Sequence, residues 1–367
     1  MTAIDSAAPS VAAAGPAEAF HRVSFTGSGK EYFGIWIVNI LLTIITLGIY
    51  SAWAKVRRNR YFYGNTMLLG RGFEYHARGW QILVGRVIVV GYFILYNVAL
   101  TVFPIAGLVL GLLIVLALPW LVMRGIRFSA RVTSYRNVRF NFVGGIGGAF
   151  LAFMVGPVIT VLTLGILAPI ASRWVGRYVG NNLRWGSKTF ATDPPLAPIY
   201  GTWFVAALVV LLGIVILAVG AFLNSALIIA TIDGSGTLPA EFQASMIAAV
   251  IFAYVAIFIT FGLASLVYRA GVRNVVWSAT TLEGGHQILS DLPRFGYAWV
   301  AISNIILTIL TLGFYRPWAA VRLARYTYEH TAVRFNGPVG DVMAPAEKDG
   351  SAVGAEFVSF EGFDFGF

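Results

Sequence analysis

Four stretches of this sequence, residues 80–101, 103–123, 201–223 and 246–268, each run for about twenty residues with at most one charged side chain. A helix needs roughly that length to cross the ~30 Å hydrocarbon core of a bilayer, because it rises ~1.5 Å per residue. The chain therefore reads as an integral, multi-spanning α-helical membrane protein. Composition agrees, since 58% of the 367 residues are hydrophobic and only 11% charged. A soluble chain carries about 25% charged residues and needs them to cover its surface. The net charge of +10 sits mainly on arginine, and only Lys30, Lys55, Lys188 and Lys348 are lysine. With no cysteine, disulfide and thiolate chemistry are excluded.

The four runs pair into two hairpins, 80–123 and 201–268. The first turns near Pro104, and the second is joined by DGSGTLPAEFQ (233–243). Neither connection carries Lys or Arg, whereas the outer flanks carry Arg71, Arg78, Arg124, Arg127, Arg131, Arg184, Lys188, Arg269 and Arg273. Cytoplasmic flanks of membrane helices are enriched in basic residues, so both hairpins point their tips out of the cytoplasm. Residues 1–19 read as a disordered tail and 343–367 as a polar C-terminal tail, leaving 20–342 as a single membrane domain.

Three further apolar segments, 33–54, 145–171 and 297–318, form an internal repeat, with repeat elements spanning 33–63, 145–178 and 297–328. The first reads NILLTIITLGIYSAWAKVRRNRYFY from Asn39 and the last NIILTILTLGFYRPWAAVRLARYTY from Asn304. The middle copy keeps Thr160, Thr163, Leu164, Gly165, Arg177 and Tyr178 but lacks the Asn and the Tyr-x-x-Trp pair. Short alternating pieces, at 66–75, 137–140, 182–185, 274–277 and 332–335, suggest small cytoplasmic strands. The expected fold class is an all-α polytopic membrane protein with four spanning helices, three Thr-Leu-Gly elements and these minor β segments.

The T-L-G-[IF]-Y-x-x-W-A motif, with Arg-Tyr downstream and the start Phe25, Gly27, Gly29, Glu31, Tyr32, Phe33, resembles the YjgN-like bacterial inner-membrane proteins. The resemblance covers roughly residues 20–340. That family is a domain of unknown function, so the likeness implies topology and a multi-pass location in the bacterial inner membrane, and no activity.

The Thr-Leu-Gly segments either cross, giving up to seven crossings, or enter and leave on one side. Basic clusters at both ends of the middle copy (Arg136, Arg139, Arg173, Arg177) and Gly156-Pro157 at its centre favour re-entry. Each membrane helix would end at Thr-Leu-Gly and bend into an interfacial helix. Tyr50, Trp53, Tyr315 and Trp318 would then serve as interfacial anchors, with Arg57, Arg60, Arg322 and Arg325 directed at lipid phosphates. Asn39, Thr43 and Thr46 share one helix face, as do Asn304, Thr308 and Thr311. These stripes serve either as helix-packing glue or as a pseudo-symmetric polar path for a solute. Arg86 lies inside an apolar run, where it snorkels to the interface or joins an anion or headgroup site.

All 16 acids lie in tails, loops or flanks, which removes the intramembrane carboxylate typical of proton-coupled carriers. His21, His76, His286 and His330 show no zinc-ligand spacing, no nucleotide-binding loop occurs, and no nucleophile–base constellation is visible. No metal, cofactor or nucleic acid is expected, and the chain reads as non-enzymatic. Anionic lipid headgroups are the expected partners, and a homo-oligomer is open to such a chain. The function expected is conduction or transport of a small solute; the alternative is an envelope scaffold or lipid-interacting protein without a permeation path.

Overall fold

The computed structural model describes residues 20–231 and 240–337. The stretches 1–19 and 343–367, and the loop 233–243 up to Ala240, lie outside the described residues. The chain alternates strand pairs with helix pairs five times. It opens with β1 (Phe20–Arg22) and β2 (Ser24–Phe25), then α1 (Gly29–Ile45), α2 (Ser51–Gly64), β3 (Thr66–Leu68) and β4 (Arg71–Tyr75). Next come α3 (Gly79–Val102), α4 (Pro104–Arg131), β5 (Thr133–Tyr135) and β6 (Val138–Phe142). The third passage has α5 (Ile146–Phe150), a π-helical turn (Leu151–Val155), α6 (Gly156–Leu162), α7 (Ala168–Asn182), β7 (Leu183–Trp185) and β8 (Lys188–Thr192). The last two contain α8 (Leu196–Thr231), α9 (Ala240–Ser278), β9 (Thr280–Leu282) and β10 (His286–Ser290), then α10 (Arg294–Leu310), α11 (Arg316–Glu329) and β11 (Thr331–Arg334).

The all-α expectation is corrected here, because the strands form one 11-stranded antiparallel sheet. Strand order follows the chain, and β11 returns to β1 with Phe20 opposite Arg334. β2 pairs with β3, so the single segment β1–β2 bridges the two ends of the sheet. At the bend between them the Val23 amide donates to the Thr331 carbonyl at 2.9 Å. Arg22 reinforces the closure, with Nη2 2.6 Å from Asp291 Oδ2 and Nη1 donating to the Glu329 carbonyl at 3.1 Å. The result is a near-closed barrel, and its core is filled by Val23, Leu68, Tyr135, Val138, Trp185, Leu282 and Phe335, drawn from all around the sheet.

The alternating pieces 66–75, 137–140, 182–185 and 332–335 fall on β3–β4, β6, β7 and β11, and strands of two to five residues are each stable only through their neighbours. Of the segments expected as strands, 274–277 lies instead in the last turns of α9. There Asn274 Nδ2 donates to the Leu292 carbonyl at 2.8 Å, and its Oδ1 accepts from Leu292 N–H at 2.9 Å.

The helices close a second circle above the sheet. Trp318 of α11 meets Phe33 of α1 at 5.1 Å between ring centroids. The Trp53 indole of α2 lies against Gly79 at the start of α3. Trp203 of α8 donates to the Gly165 carbonyl at 2.8 Å beside α7. Among the described residues the four helices long and apolar enough to cross a membrane are α3, α4, α8 and α9. At 24 and 28 residues, α3 and α4 are ~36–42 Å long; α1 and α2, at 17 and 14 residues, are ~25 and ~21 Å. Every helix pair leaves the sheet and returns to it, so both ends of each Thr-Leu-Gly segment lie on the sheet side. The basic flanks gather at that end of the helices.

Candidate membrane-contact site

Each Thr-Leu-Gly sequence is the tip of a short helical hairpin. The Leu takes a left-handed conformation, with φ of 50° at Leu47, 49° at Leu164 and 50° at Leu312, and the following Gly48, Gly165 and Gly313 are also at positive φ. The glycine amides reach back to Thr43, Thr160 and Thr308 carbonyls at 2.7 Å each. Leu47 and Leu312 also donate to Ile44 and Ile309 carbonyls at 3.1 and 3.0 Å. This is the paired-bond helix terminus in which Gly normally occupies the left-handed position. Leu there costs ~1–2 kcal/mol in backbone strain. The side chain gains nothing from the protein in return: Leu47, Leu164 and Leu312 are 95%, 93% and 91% exposed. Around them Ile45, Ile49, Val161, Leu162, Ile309, Leu310 and Phe314 are exposed as well.

The threonine repeated at each tip has a local task. Thr46 Oγ1 donates to the Leu42 carbonyl at 2.7 Å and accepts the Tyr50 amide at 2.9 Å. Thr311 Oγ1 does the same with Leu307 and Tyr315, at 2.7 and 2.9 Å, and Thr163 Oγ1 with Ile159 and Leu167, at 2.7 and 3.1 Å. The hydroxyl ends one helix and caps the amide that begins the next. Thr43 and Thr308 donate to the Asn39 and Asn304 carbonyls, 2.6 Å each.

The two buried asparagines are bound within their own hairpins. Asn39 Oδ1 accepts from Arg57 at 3.4 Å. Asn304 Oδ1 accepts from Arg322 at 3.2 Å, and its Nδ2 donates to the Ala319 carbonyl at 3.0 Å. The same arginines reach Tyr50 Oη (3.2 Å) and Ser303 Oγ (2.9 Å). This polar level lies eight residues below each tip leucine, a depth of ~12 Å, against a half-core of ~15 Å.

A second set of arginines ties helices to the sheet. Arg60 Nε and Nη2 donate to the Tyr75 and Ala77 carbonyls at 3.3 and 3.4 Å. Arg127 makes the matching pair with Phe142 and Gly144 at 3.1 and 3.0 Å, and Arg325 Nη2 meets the Gly27 carbonyl at 2.8 Å. In the other two passages Arg177 lies 3.5 Å from Asp193 and Asn274 takes the equivalent place. The Arg173 hydrogen bond, with Arg177 close by, holds the Asp193 carboxyl below its usual range. Arg60 and Arg325, expected at lipid phosphates, are thus occupied by backbone carbonyls; Arg57 and Arg322 are occupied by Asn39 and Asn304. Arg86 donates to Ser51 Oγ, at the foot of the first tip. Tyr50 and Trp53 stack at 6.3 Å, as do Tyr315 and Trp318 at 6.2 Å. Both indoles also lie over a helix start, Trp53 on Gly79 and Trp318 on Gly29, so the two tryptophans pack against protein as well as facing outward.

A serine, histidine and carboxylate do meet beneath the first hairpins, but without relay geometry. His76 Nε2 lies 2.7 Å from Ser134 Oγ and 3.4 Å from Glu74 Oε2, so one ring nitrogen faces both partners. Ser134 is 1% exposed, and burial beside Arg139 lowers the His76 pKa. A relay needs the base to contact nucleophile and carboxylate through different nitrogens.

A family model described as a bacterial protein of unknown function (DUF898) matches residues 20–360. The chain belongs to this family. The inner membrane protein YjgN of Salmonella typhimurium is 26% identical over 357 residues, covering 86% of this chain and 88% of that protein. YjgN of Escherichia coli K12 is 35% identical over 156 residues, 42% of this chain and 39% of that protein. No solved structure matches. Family membership and the four apolar spans agree on residence in the bacterial inner membrane.

Sequence reasoning placed weight on the asparagine–threonine stripes and passed over the leucine between Thr and Gly. The available signal was a β-carbon-bearing apolar residue immediately before a glycine at a helix end, three times over. Arg127 reads from the sequence as a flank charge, because its carbonyl partners Phe142 and Gly144 lie just past the expected strand 137–140 and nothing local links them to it.

Proposed function

We propose that this protein is a leaflet-selective scaffold of the inner membrane, which inserts more helix into the cytoplasmic leaflet than into the outer one. Among the described residues ten helical segments rise from the sheet, counting α5 to α6 as one, and four of them are long enough to reach the outer leaflet. The difference of six helices, each ~10–12 Å across, adds roughly 500–700 Å² of protein to the cytoplasmic leaflet. The observation that carries this reading is the three exposed, left-handed leucine tips. Backbone strain is retained there on side chains that only hydrocarbon can bury. On this reading the five passages are one repeated unit of helix pair and strand pair, with short and long hairpins alternating. Solute conduction has less support, because the Asn and Thr groups are bonded within their hairpins and aromatic side chains fill the barrel.

The test is reconstitution into vesicles with the barrel facing outward. Protein density should be higher in small, highly curved vesicles than in large ones, because an outward-facing wedge favours that curvature. Equal density in both, together with ion or solute flux lost in Asn39→Leu/Asn304→Leu, would replace the scaffold with a conduit.

A further inference from the structure

A groove of about 720 Å³ runs between α7 and α9, roofed by the α6 end of the middle hairpin. One wall is Ala168, Ala171 and Val175, the other Val272 and Val276, and Val161 lies at the tip end. From Val179 to Ala168 the groove follows eleven residues of α7, ~16 Å, close to the ~15 Å depth of one leaflet. Its sides are apolar and its charges are both positive. Arg269 is exposed and makes no hydrogen bond or ion pair among the described residues. Arg273 lies one turn nearer the sheet, its guanidinium 4.6 Å from the Trp277 ring centroid. It donates to Ser290 Oγ, to Thr331 Oγ1 (2.6 Å) and to the Thr327 carbonyl (3.3 Å), all neutral acceptors. No carboxylate lines the groove.

We propose that this groove holds one acyl chain of an anionic phospholipid, with its phosphate between Arg269 and Arg273. An apolar channel of leaflet depth that carries two cations and no carboxylate in its lining fits such a lipid on both counts. A neutral lipid would leave Arg269 without a counter-charge, and a soluble anion would leave the apolar walls wet. The position is that of a basic pocket between membrane helices on the cytoplasmic side. Ser172 Oγ, 2.8 Å from Tyr268 Oη across the groove, places a polar pair midway along it. The site needs only residence in the membrane and does not depend on the scaffold reading.

Native mass spectrometry of the detergent-solubilised full chain tests this directly. After delipidation, phosphatidylglycerol, phosphatidylcholine and inorganic phosphate are added in separate arms, with thermal unfolding as the folding control. Phosphatidylglycerol should be retained at one equivalent in preference to phosphatidylcholine. Arg269→Gln should weaken retention roughly fivefold, and Val272→Trp, which fills the groove, should abolish it. Ala168→Trp replaces the second variant if Val272→Trp does not fold. Equal retention of both lipids, retention unchanged by Arg269→Gln, or retention unchanged by the groove-filling variant overturns the proposal. Displacement of the lipid by millimolar phosphate overturns it in favour of a soluble-anion site. Each of these outcomes leaves the vesicle-sorting result untouched.

Discussion

Replacing the tip leucines with asparagine separates a tip in hydrocarbon from a tip in water by the sign of the effect. Asparagine enters the left-handed region more readily than leucine, so Leu47→Asn, Leu164→Asn and Leu312→Asn each release up to ~1–2 kcal/mol of strain. Because these side chains are 91–95% exposed, no protein contact is lost. In water each variant should therefore be as stable as the parent or more so. In hydrocarbon the change forfeits ~1.5–3 kcal/mol of leucine burial and adds ~1–3 kcal/mol for an unpaired amide. After the strain is subtracted, the net loss is about 0.5–5 kcal/mol per tip. The measurement is thermal unfolding, followed by far-UV circular dichroism, in nanodiscs of inner-membrane lipids. The expected result is a lower midpoint for each asparagine variant, and lower again for the triple variant. Leu312→Gly serves as the control that removes strain without adding a polar group. Midpoints at or above the parent's for all three asparagine variants would show the tips to be wet and remove the basis of the leaflet-loading model.

Arg127→Leu should destabilise by about 2–4 kcal/mol, since it leaves the Phe142 and Gly144 carbonyls without charge-assisted donors, and Arg127→Lys should recover only part of that; denaturant titration in detergent reads both. Gly29→Ala should cost about 1–3 kcal/mol, because its new methyl meets the Trp318 ring, and the cost should shrink when combined with Trp318→Leu. His286 gives a pH dependence. Burial, with Lys188 nearby, lowers its pKa from the usual 6.5, and its Nδ1 accepts the Asn336 amide at 3.0 Å. The folded state therefore binds this proton less readily than the unfolded chain. Its stabilising contribution is complete above pH 6.5 and is lost as pH falls through the lowered folded value. His286→Gln should flatten that part of the stability–pH curve, and an unchanged slope would remove His286 as its source.

The sequence by itself determined the elements whose information is local. A span is written in its own twenty residues, so α3, α4, α8 and α9 are legible from Trp80, Phe103, Gly201 and Met246 onward. The basic flanks that gather at the sheet end of the helices are legible at Arg78, Arg124 and Arg269, because bilayer thickness and leaflet charge act on each segment separately. The chemistry of the Thr-Leu-Gly motif was also visible, but its meaning was not. Whether Asn39 and Asn304 face one another or bond Arg57 and Arg322 depends on how far apart the hairpins stand. Only the tertiary structure decided that, and it decided the sheet as well. Strands such as Thr66–Leu68 and Leu183–Trp185 fall within the alternating pieces 66–75 and 182–185, but alternation over three residues says nothing of which strand lies alongside. The pair that closes the sheet joins residues as distant in the chain as Phe20 and Arg334. A near-closed barrel of this kind is a property of pairing, and pairing between residues some three hundred positions apart leaves no pattern that a local reading of either partner could find.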